Sequence, residues 1–259
     1  MSRISFLLVI FFTTYGNPYE LSFNSGVRTY PFSASVDAQY KLESVLWDRR
    51  SVTDGNGNEK QTKWKFGMAQ IKALVASHGQ VEGTVSVYPV GFMEIGASLS
   101  TTSRFYATKP FNCDFIVCKG ILKRSNTFAR LLMGYEIAQG SLFAILAGHQ
   151  SLNTVEDTSK DFADETEKLL GRAGEDEFKS KSILAGIKHE LGTMALFYRF
   201  AEYQKSKQKN EYSYLIYRNE FDQYRLSLGI GQYQSSQFQG EFSAIMGLTY
   251  TFGKTLALF

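Results

Sequence analysis

Residues 71–88 read Ile71-Lys72-Ala73-Leu74-Val75-Ala76-Ser77-His78-Gly79-Gln80-Val81-Glu82-Gly83-Thr84-Val85-Ser86-Val87-Tyr88. Ile71, Ala73, Val75, Val81, Val85 and Val87 fall on one face of an extended chain, with Ser77, Gly79 and Gly83 between them. Lys72, His78, Gln80, Glu82, Thr84 and Ser86 fall on the other face, and only Leu74 and Ala76 interrupt it. Alternation with period two marks a strand that has an apolar medium on one side and a polar one on the other. Read as one element, this stretch far exceeds the roughly 5–6 residues of an ordinary globular strand.

The pattern recurs in both directions along the chain. Ala34, Val36, Ala38, Tyr40 and Leu42 oppose Ser33, Ser35, Asp37, Gln39, Lys41 and Glu43. After a turn at Pro89–Phe92, Met93, Ile95, Ala97 and Leu99 oppose Glu94, Gly96, Ser98 and Ser100. Similar faces lie near 193–203, 223–233 and 240–252, whereas 126–137, 142–151, 180–189 and 211–218 alternate less cleanly. These segments predict an all-β fold, a transmembrane antiparallel up-and-down β-barrel of about ten strands. Each reaches the roughly 9–11 residues that cross a bilayer. Merging or splitting the weaker segments at 126–151 or 211–233 gives eight or twelve strands instead.

Composition agrees. The 259 residues carry a net charge of +3, and mean hydropathy is −0.20. That charge, without a dense basic stripe, argues against nucleic acid as a partner. A polar average coexists with 21 Phe and 15 Tyr, which gather near the predicted strand ends as interfacial aromatics do. Met1-Ser2-Arg3 and the apolar run Phe6–Phe12 read as a signal peptide over 1–16, cleaved near Gly16. Such a run is far shorter than the roughly 20 residues of a spanning helix. Residues 17–259 are then the barrel domain, with 17–29 as a short periplasmic lead-in.

The connections alternate in length. Longer links fall at about 49–68, 106–124, 152–178, 204–210 and 234–239, and tight turns at Pro89–Phe92, Ala138–Ser141, His189–Gly192 and Asn219–Asp222. A meander that sorts short turns to one side and long loops to the other is that of an outer-membrane barrel. Together with the ending Gly247-Leu248-Thr249-Tyr250-Thr251-Phe252 and the terminal Phe259, residues 30–252 resemble bacterial outer-membrane β-barrel proteins in general. The resemblance implies an outer-membrane location, contact with lipid and lipopolysaccharide, and a barrel-assembly signal at Tyr250, Phe252 and Phe259. Phe259 is out of register with the outward even positions of that last strand.

Candidate chemistry lies inside. Parity turns Asp37, Lys41, Glu43, Lys72, His78, Glu82, Glu94, Arg104, Arg130, Glu136, Lys188, Arg199, Arg225 and Glu241 toward the lumen. They suit either a packed lumen laced by ion pairs or a narrow porin-like channel for small solutes. A non-conducting barrel that displays its outer loops, as an anchor or adhesion protein, is the alternative. Cys113 and Cys118, the only two cysteines of an exported chain, predict a disulfide in the second long loop. No metal-ligand cluster, cofactor loop or enzyme constellation stands out. The acids of loop 152–178 (Glu156, Asp157, Asp161, Asp164, Glu165, Glu167 and Glu175-Asp176-Glu177) surround a short helix predicted over 159–170 and ended by Gly171. They read as a solvated surface, or as one that bridges lipopolysaccharide phosphates through divalent ions. A hydrolase of lipid or peptide is the least favoured alternative. His149 lies near the predicted outer rim beside the acidic loop, as a peptide hydrolase would place it. It shares one strand face with Ser151, as a lipid hydrolase would need facing lipid, but no orienting third residue accompanies them.

Overall fold

In the computed structural model, the described residues are 19–45, 52–53, 59–60, 67–77, 79–104, 111–137, 140–164, 166–237 and 240–253. The signal-peptide segment, His78 and Phe259 lie outside them. In chain order the strands are β1 (Tyr19–Arg28), β2 (Ser33–Val45), the two-residue pair β3 (Val52–Thr53) and β4 (Glu59–Lys60), β5 (Met68–Ala76), β6 (Gln80–Val90) and β7 (Met93–Arg104). There follow β8 (Gly120–Ile137), β9 (Gly140–Val155), and the short β10 (Phe162–Asp164) and β11 (Leu169–Gly171). The rest are β12 (Glu175–His189), β13 (Gly192–Tyr203), β14 (Lys209–Phe221), β15 (Tyr224–Ser235) and β16 (Glu241–Gly253). Without β3–β4 and β10–β11, which form separate two-stranded sheets, the strands close a barrel of twelve, with β16 pairing back onto β1.

Twelve strands replace the ten expected, for two reasons. The long alternating stretch is a hairpin, not one strand: β5 ends at Ala76, β6 begins at Gln80, and these two residues face each other. Gly79 takes a φ of 79° there, and its N–H bonds Ala76 O at 3.0 Å. Opposed residues point to the same face of a sheet, so three residues between them carry the alternation through the turn unbroken. The second addition is β1, whose residues read as a lead-in. Glu20 to Arg28 pair with Gly253 to Ile245, so this segment closes the sheet.

The added strands also change the sidedness of the loops. The link from Val45 to Met68 opens at the end of the barrel that holds Tyr19 and Gly253, together with the tight turns after β6, β8, β12 and β14. It therefore does not share the other end with the links after β7, β9, β13 and β15, as the sequence had suggested. That other end gains the tight turns after β1 and β5.

Alternation places the two media. Leu99, Leu196 and Phe242 are 69 %, 65 % and 67 % exposed on the outer face, and Val36, Val85, Met246 and Ile230 extend the same band. A continuous apolar girdle of this kind needs hydrocarbon, not water, around it. At the terminal end the rings of Phe221, Tyr224, Tyr250, Phe252 and Phe23 form a chain, with centroid spacings of 6.1, 4.8, 4.3 and 6.1 Å. This is an interfacial girdle, where amphipathic rings meet headgroups. β8, β9 and β12 run 18, 16 and 15 residues, beyond what a bilayer needs. Their outer faces change from Leu131, Met133 and Ile183 to Thr127, Gln150, Lys179 and Lys181, so this wall rises past the membrane away from the chain ends.

Closure by β1 is open to a direct check. Ser25→Cys combined with Leu248→Cys, opposed across β1 and β16, should oxidise readily to an intramolecular cross-link. It would be read as a changed mobility of the fully denatured chain that reductant reverses. If residues 17–29 were only a lead-in, no such species would form.

Candidate functional site

The acidic loop is not a surface helix. β10 (Phe162–Asp164) and β11 (Leu169–Gly171) form a hairpin, with Phe162 opposite Gly171 and Asp164 opposite Leu169, and it folds into the barrel mouth. Phe162, Ala163, Asp164 and Leu169 are all fully buried. Phe162 and Leu169 join Leu122, Val155, Phe178, Ala201 and Tyr203 in one apolar cluster, built on the tall β8–β9–β12–β13 wall. Gly171 is required beneath the Phe162 ring, since a Cβ there would sit 2.2 Å from its Cζ. Lys168 turns the chain with a φ of 56°. An isolated helix would gain only its own backbone bonds, whereas the hairpin buries two large apolar side chains, each contributing about 1.5–3 kcal/mol. Tertiary burial overrides the local helical pattern here.

Two buried carboxylates fix the hairpin. Arg124 Nη2 donates to Asp164 Oδ2 at 2.7 Å and the Tyr203 hydroxyl donates to the same oxygen at 2.6 Å. Asn153 Nδ2 donates to the Tyr203 oxygen, and Arg124 Nε donates to Asn153 Oδ1 at 3.1 Å. The other Asp164 oxygen accepts the Thr166 and Glu167 N–H groups, both at 3.2 Å. Glu167 meets Arg199 in a fork, with N–O distances of 2.7 and 3.0 Å. Its main-chain carbonyl accepts from Asn210 Nδ2 at 2.7 Å and from Tyr233 OH at 3.3 Å. Burial would raise the Glu167 carboxyl, but the Arg199 guanidinium outweighs it and brings it down to about 2. Bidentate Arg–carboxylate pairs combine strength with a fixed geometry, so the hairpin has one docked position.

The second long loop clasps the hairpin from above. Cys113 and Cys118 are joined as a disulfide, as expected. Beside it, Val117 forms a parallel bridge with Phe162: its N–H bonds Asp161 O at 2.8 Å, and its carbonyl accepts from Ala163 N at 3.0 Å. Arg104 Nη1 donates to the carbonyls of both Val117 and Ala163, at 3.0 and 2.8 Å. One guanidinium thereby joins barrel wall, disulfide loop and hairpin.

The hairpin leaves open space on the side away from its anchors. A cavity of about 330 Å³ lies between its tip residue Thr166 and Gly26, Arg28, Ser33, Ser35, Ser227, Ile245 and Gly247 of β1, β2, β15 and β16. Small residues keep that wall thin. A Cβ at Gly26 would meet nothing nearer than 3.7 Å, and one at Gly247 nothing nearer than 3.5 Å. A second cavity of about 200 Å³ lies in mid-lumen, lined by Gln39, Lys72, Leu74, Glu82, Thr84, Ser98, Asn126, Phe128, Arg130 and His149.

The inward charges separate into distinct groups. Lys72, Glu82 and Arg130 line the mid-lumen cavity, and Arg130 Nη1 lies 3.2 Å from the buried Glu94 Oε2. Lys41 Nζ bridges Glu20 and Glu43 at 2.8 and 3.7 Å. Arg104 and Arg199 hold the hairpin. Glu136, Lys188, Arg225 and Glu241 keep inward parity but sit exposed toward the strand ends. His149 and Ser151 point into the lumen, and the His149 ring stacks on Phe128 at 5.7 Å. The lipid-facing pair that a lipid hydrolase would require is therefore not made. Among the described residues no group of three or more His, Cys, Asp or Glu can hold a metal ion. Arg124, Tyr203, Asn210 and Tyr233 were missed from sequence. Arg124 shares the parity of Arg130 on its strand, but its partner lies 40 residues away and no local pattern signals it.

No family model and no curated protein matches the chain. Among solved structures it is similar to an outer membrane channel from Pseudomonas putida F1, with 8% identity, 91% of this chain and 96% of that chain covered, and a TM-score of 0.53. It also aligns with the NanC porin (10% identity, 89% and 98% covered, TM-score 0.41) and with a loop-deleted form of OmpT, an outer membrane protein of Vibrio cholerae (10%, 90% and 98%, 0.43). At these identities the likeness is one of fold, and the fold is the outer-membrane β-barrel.

The depressed Glu167 carboxyl sets a pH response. A carboxylate lowered on folding stabilises the docked hairpin fully above its ordinary value of 4.5, and that contribution is lost as pH falls toward 2. Hydrogen exchange of the hairpin amides, corrected for intrinsic rates, should show steady protection from pH 7 to about 5 and weakening below. Arg199→Gln should show the weakened state already at pH 7. Protection that persists unchanged to pH 2 would remove the ion pair from this role.

Proposed function

We propose that the protein is a narrow channel for small solutes, in which the in-folded hairpin sets the constriction. The observation that carries this reading is the gap of about 330 Å³ between Thr166 and the small-residue wall of β1, β2, β15 and β16. A barrel of about eight strands is filled by its own side chains, and one of 16–18 leaves a wide aqueous channel. Twelve strands lie between, and an in-folded segment narrows the difference. The hairpin is held along one arc of the wall, from Arg104 to Tyr233, and not around the whole circumference. The end that holds Tyr19, Gly253 and most short turns faces the periplasm, so the hairpin guards the outer mouth. Tyr250 and Phe252, on the outward face of β16, remain the proposed assembly signal.

In planar bilayers the purified barrel should give small, uniform conductance steps. Replacing Phe162–Gly171 by a short Gly-Ser linker should enlarge them several-fold. Gly247→Trp, whose ring enters the gap, should reduce them by more than half with heat-modifiable folding intact. A silent bilayer at high protein loading, for wild type and linker variant alike, would reject the channel.

A further inference from the structure

The two cavities are joined by an apolar stripe on the inner wall. Strand register brings Leu132 opposite Ile145, Ile145 opposite Leu184, Leu184 opposite Phe197, and Phe197 opposite Tyr214. All point inward by alternation. Ile145, Leu184 and Phe197 each keep part of their surface open. The next inward row carries Phe143, Ala195, Ile216 and, across Gly229, Ile245. Leu132 is two residues from Arg130 of the mid-lumen cavity, and Ile245 lines the cavity at the hairpin tip. A lumen that carried only ions and hydrated solutes would gain nothing from such a wall, because apolar surface open to water is unfavourable until something apolar covers it.

The facing wall, on β1, β2 and β5 to β7, is polar, yet its charges are already engaged. Lys41 lies between Glu20 and Glu43, and Glu94 holds Arg130. Asp37 accepts from Asn24 at 2.7 Å, and Glu82 accepts from Gln80 and Thr84, both at 3.0 Å. Lys72 is itself engaged. What that side offers is hydrogen bonding together with the carboxylates of Asp37 and Glu82, whose donors are neutral and leave their negative charge in place. Arg28 at the outer gap bonds the Pro31 carbonyl at 3.1 Å and lies over the Tyr233 ring. Asn126 Oδ1 is buried at the mid-lumen cavity without a hydrogen-bond partner; it is an acceptor that lacks a donor.

We infer that the lumen selects small uncharged amphiphiles, molecules with a ring or short chain that follows the apolar stripe and a hydroxyl-bearing head that follows the polar wall. This inference rests on the channel reading and names its solute class. A ring that leaves water for the stripe should tighten occupancy about tenfold over the same head alone. An anionic head meets the carboxylates of Asp37 and Glu82 along the polar wall and loses hydration.

Phenyl β-glucoside, glucose and phenyl β-glucuronide test this as a set. Binding to the protein in nanodiscs is read by saturation-transfer NMR, with empty nanodiscs subtracted, and current reduction is read in planar bilayers. Phenyl β-glucoside should bind about tenfold more tightly than glucose and more tightly than the glucuronide. Phe197→Ser should reduce the preference for the ring, and Asn126→Ala should weaken phenyl β-glucoside and glucose alike. If Phe197→Ser fails to fold, the wild-type ranking and Asn126→Ala still decide. Equal affinity for glucose and phenyl β-glucoside overturns the inference, as does a preference for the glucuronide. Conductance without any ring preference overturns the solute class and leaves the channel standing. Ring-selective binding without conductance rejects the channel and upholds the lumenal site.

Discussion

A sheet surrounded by hydrocarbon can leave no edge unpaired, because each exposed N–H and C=O would lack a partner. The rest of this structure follows from the pairing of β1 with β16, which removes the last edge. Closure needs every strand to present apolar residues outward in one register, from Phe23 and Val27 round to Met246 and Phe252. It also fixes how much space lies inside. With twelve strands that space exceeds what the inward side chains fill, and the third long loop enters to occupy the mouth.

Its position is set by charge as much as by apolar contact. Placing carboxylates in the mouth of a barrel costs solvation, and an ion pair recovers that cost only when its geometry is good and its remaining lone pairs are satisfied. Both conditions hold. Asp164 accepts from Arg124, Tyr203 and two main-chain N–H groups, and Glu167 meets a bidentate Arg199. Removal of one partner would strand a buried charge, so the network specifies a single docking geometry more than it adds stability. Arg104 extends it to Val117 beside the disulfide, which couples two loops far apart in sequence. The lumen is thereby asymmetric, with anchors along one arc, a thin glycine-lined wall opposite, and an apolar stripe between the two cavities.

Much of this is legible in the amino-acid sequence. The outward set Val81, Val85, Val87 and the inward set Glu82, Thr84, Ser86 are those the alternation identified, and the pairing of Cys113 with Cys118 follows from compartment and spacing. The errors have physical causes. The turn between Ala76 and Gln80 kept parity, so nothing in the alternation showed it. β1 contains Ser25 and Gly26, which blunt its pattern, and its partners on β16 are over 200 residues away. Residues 159–170 have a helix-like pattern with Phe162, Leu169 and Leu170 as a small apolar set, and only the distant apolar cluster and the Arg124 and Arg199 side chains explain why the segment turns inward as a hairpin. His149 and Ser151 shared a face as read, but which face could be judged only once the strand was placed between its neighbours.

The sequence by itself determined that this chain forms a closed antiparallel barrel with an apolar outside and a polar inside. Period-two alternation is a local property, and the medium on each face can be read from it. Tertiary structure alone decided the number of strands, which end each loop occupies, and the inward fold of the acidic hairpin. Those depend on register across the closing pair and on buried contacts between residues remote in the chain, such as Arg199 with Glu167. No local pattern encodes their cost or their gain.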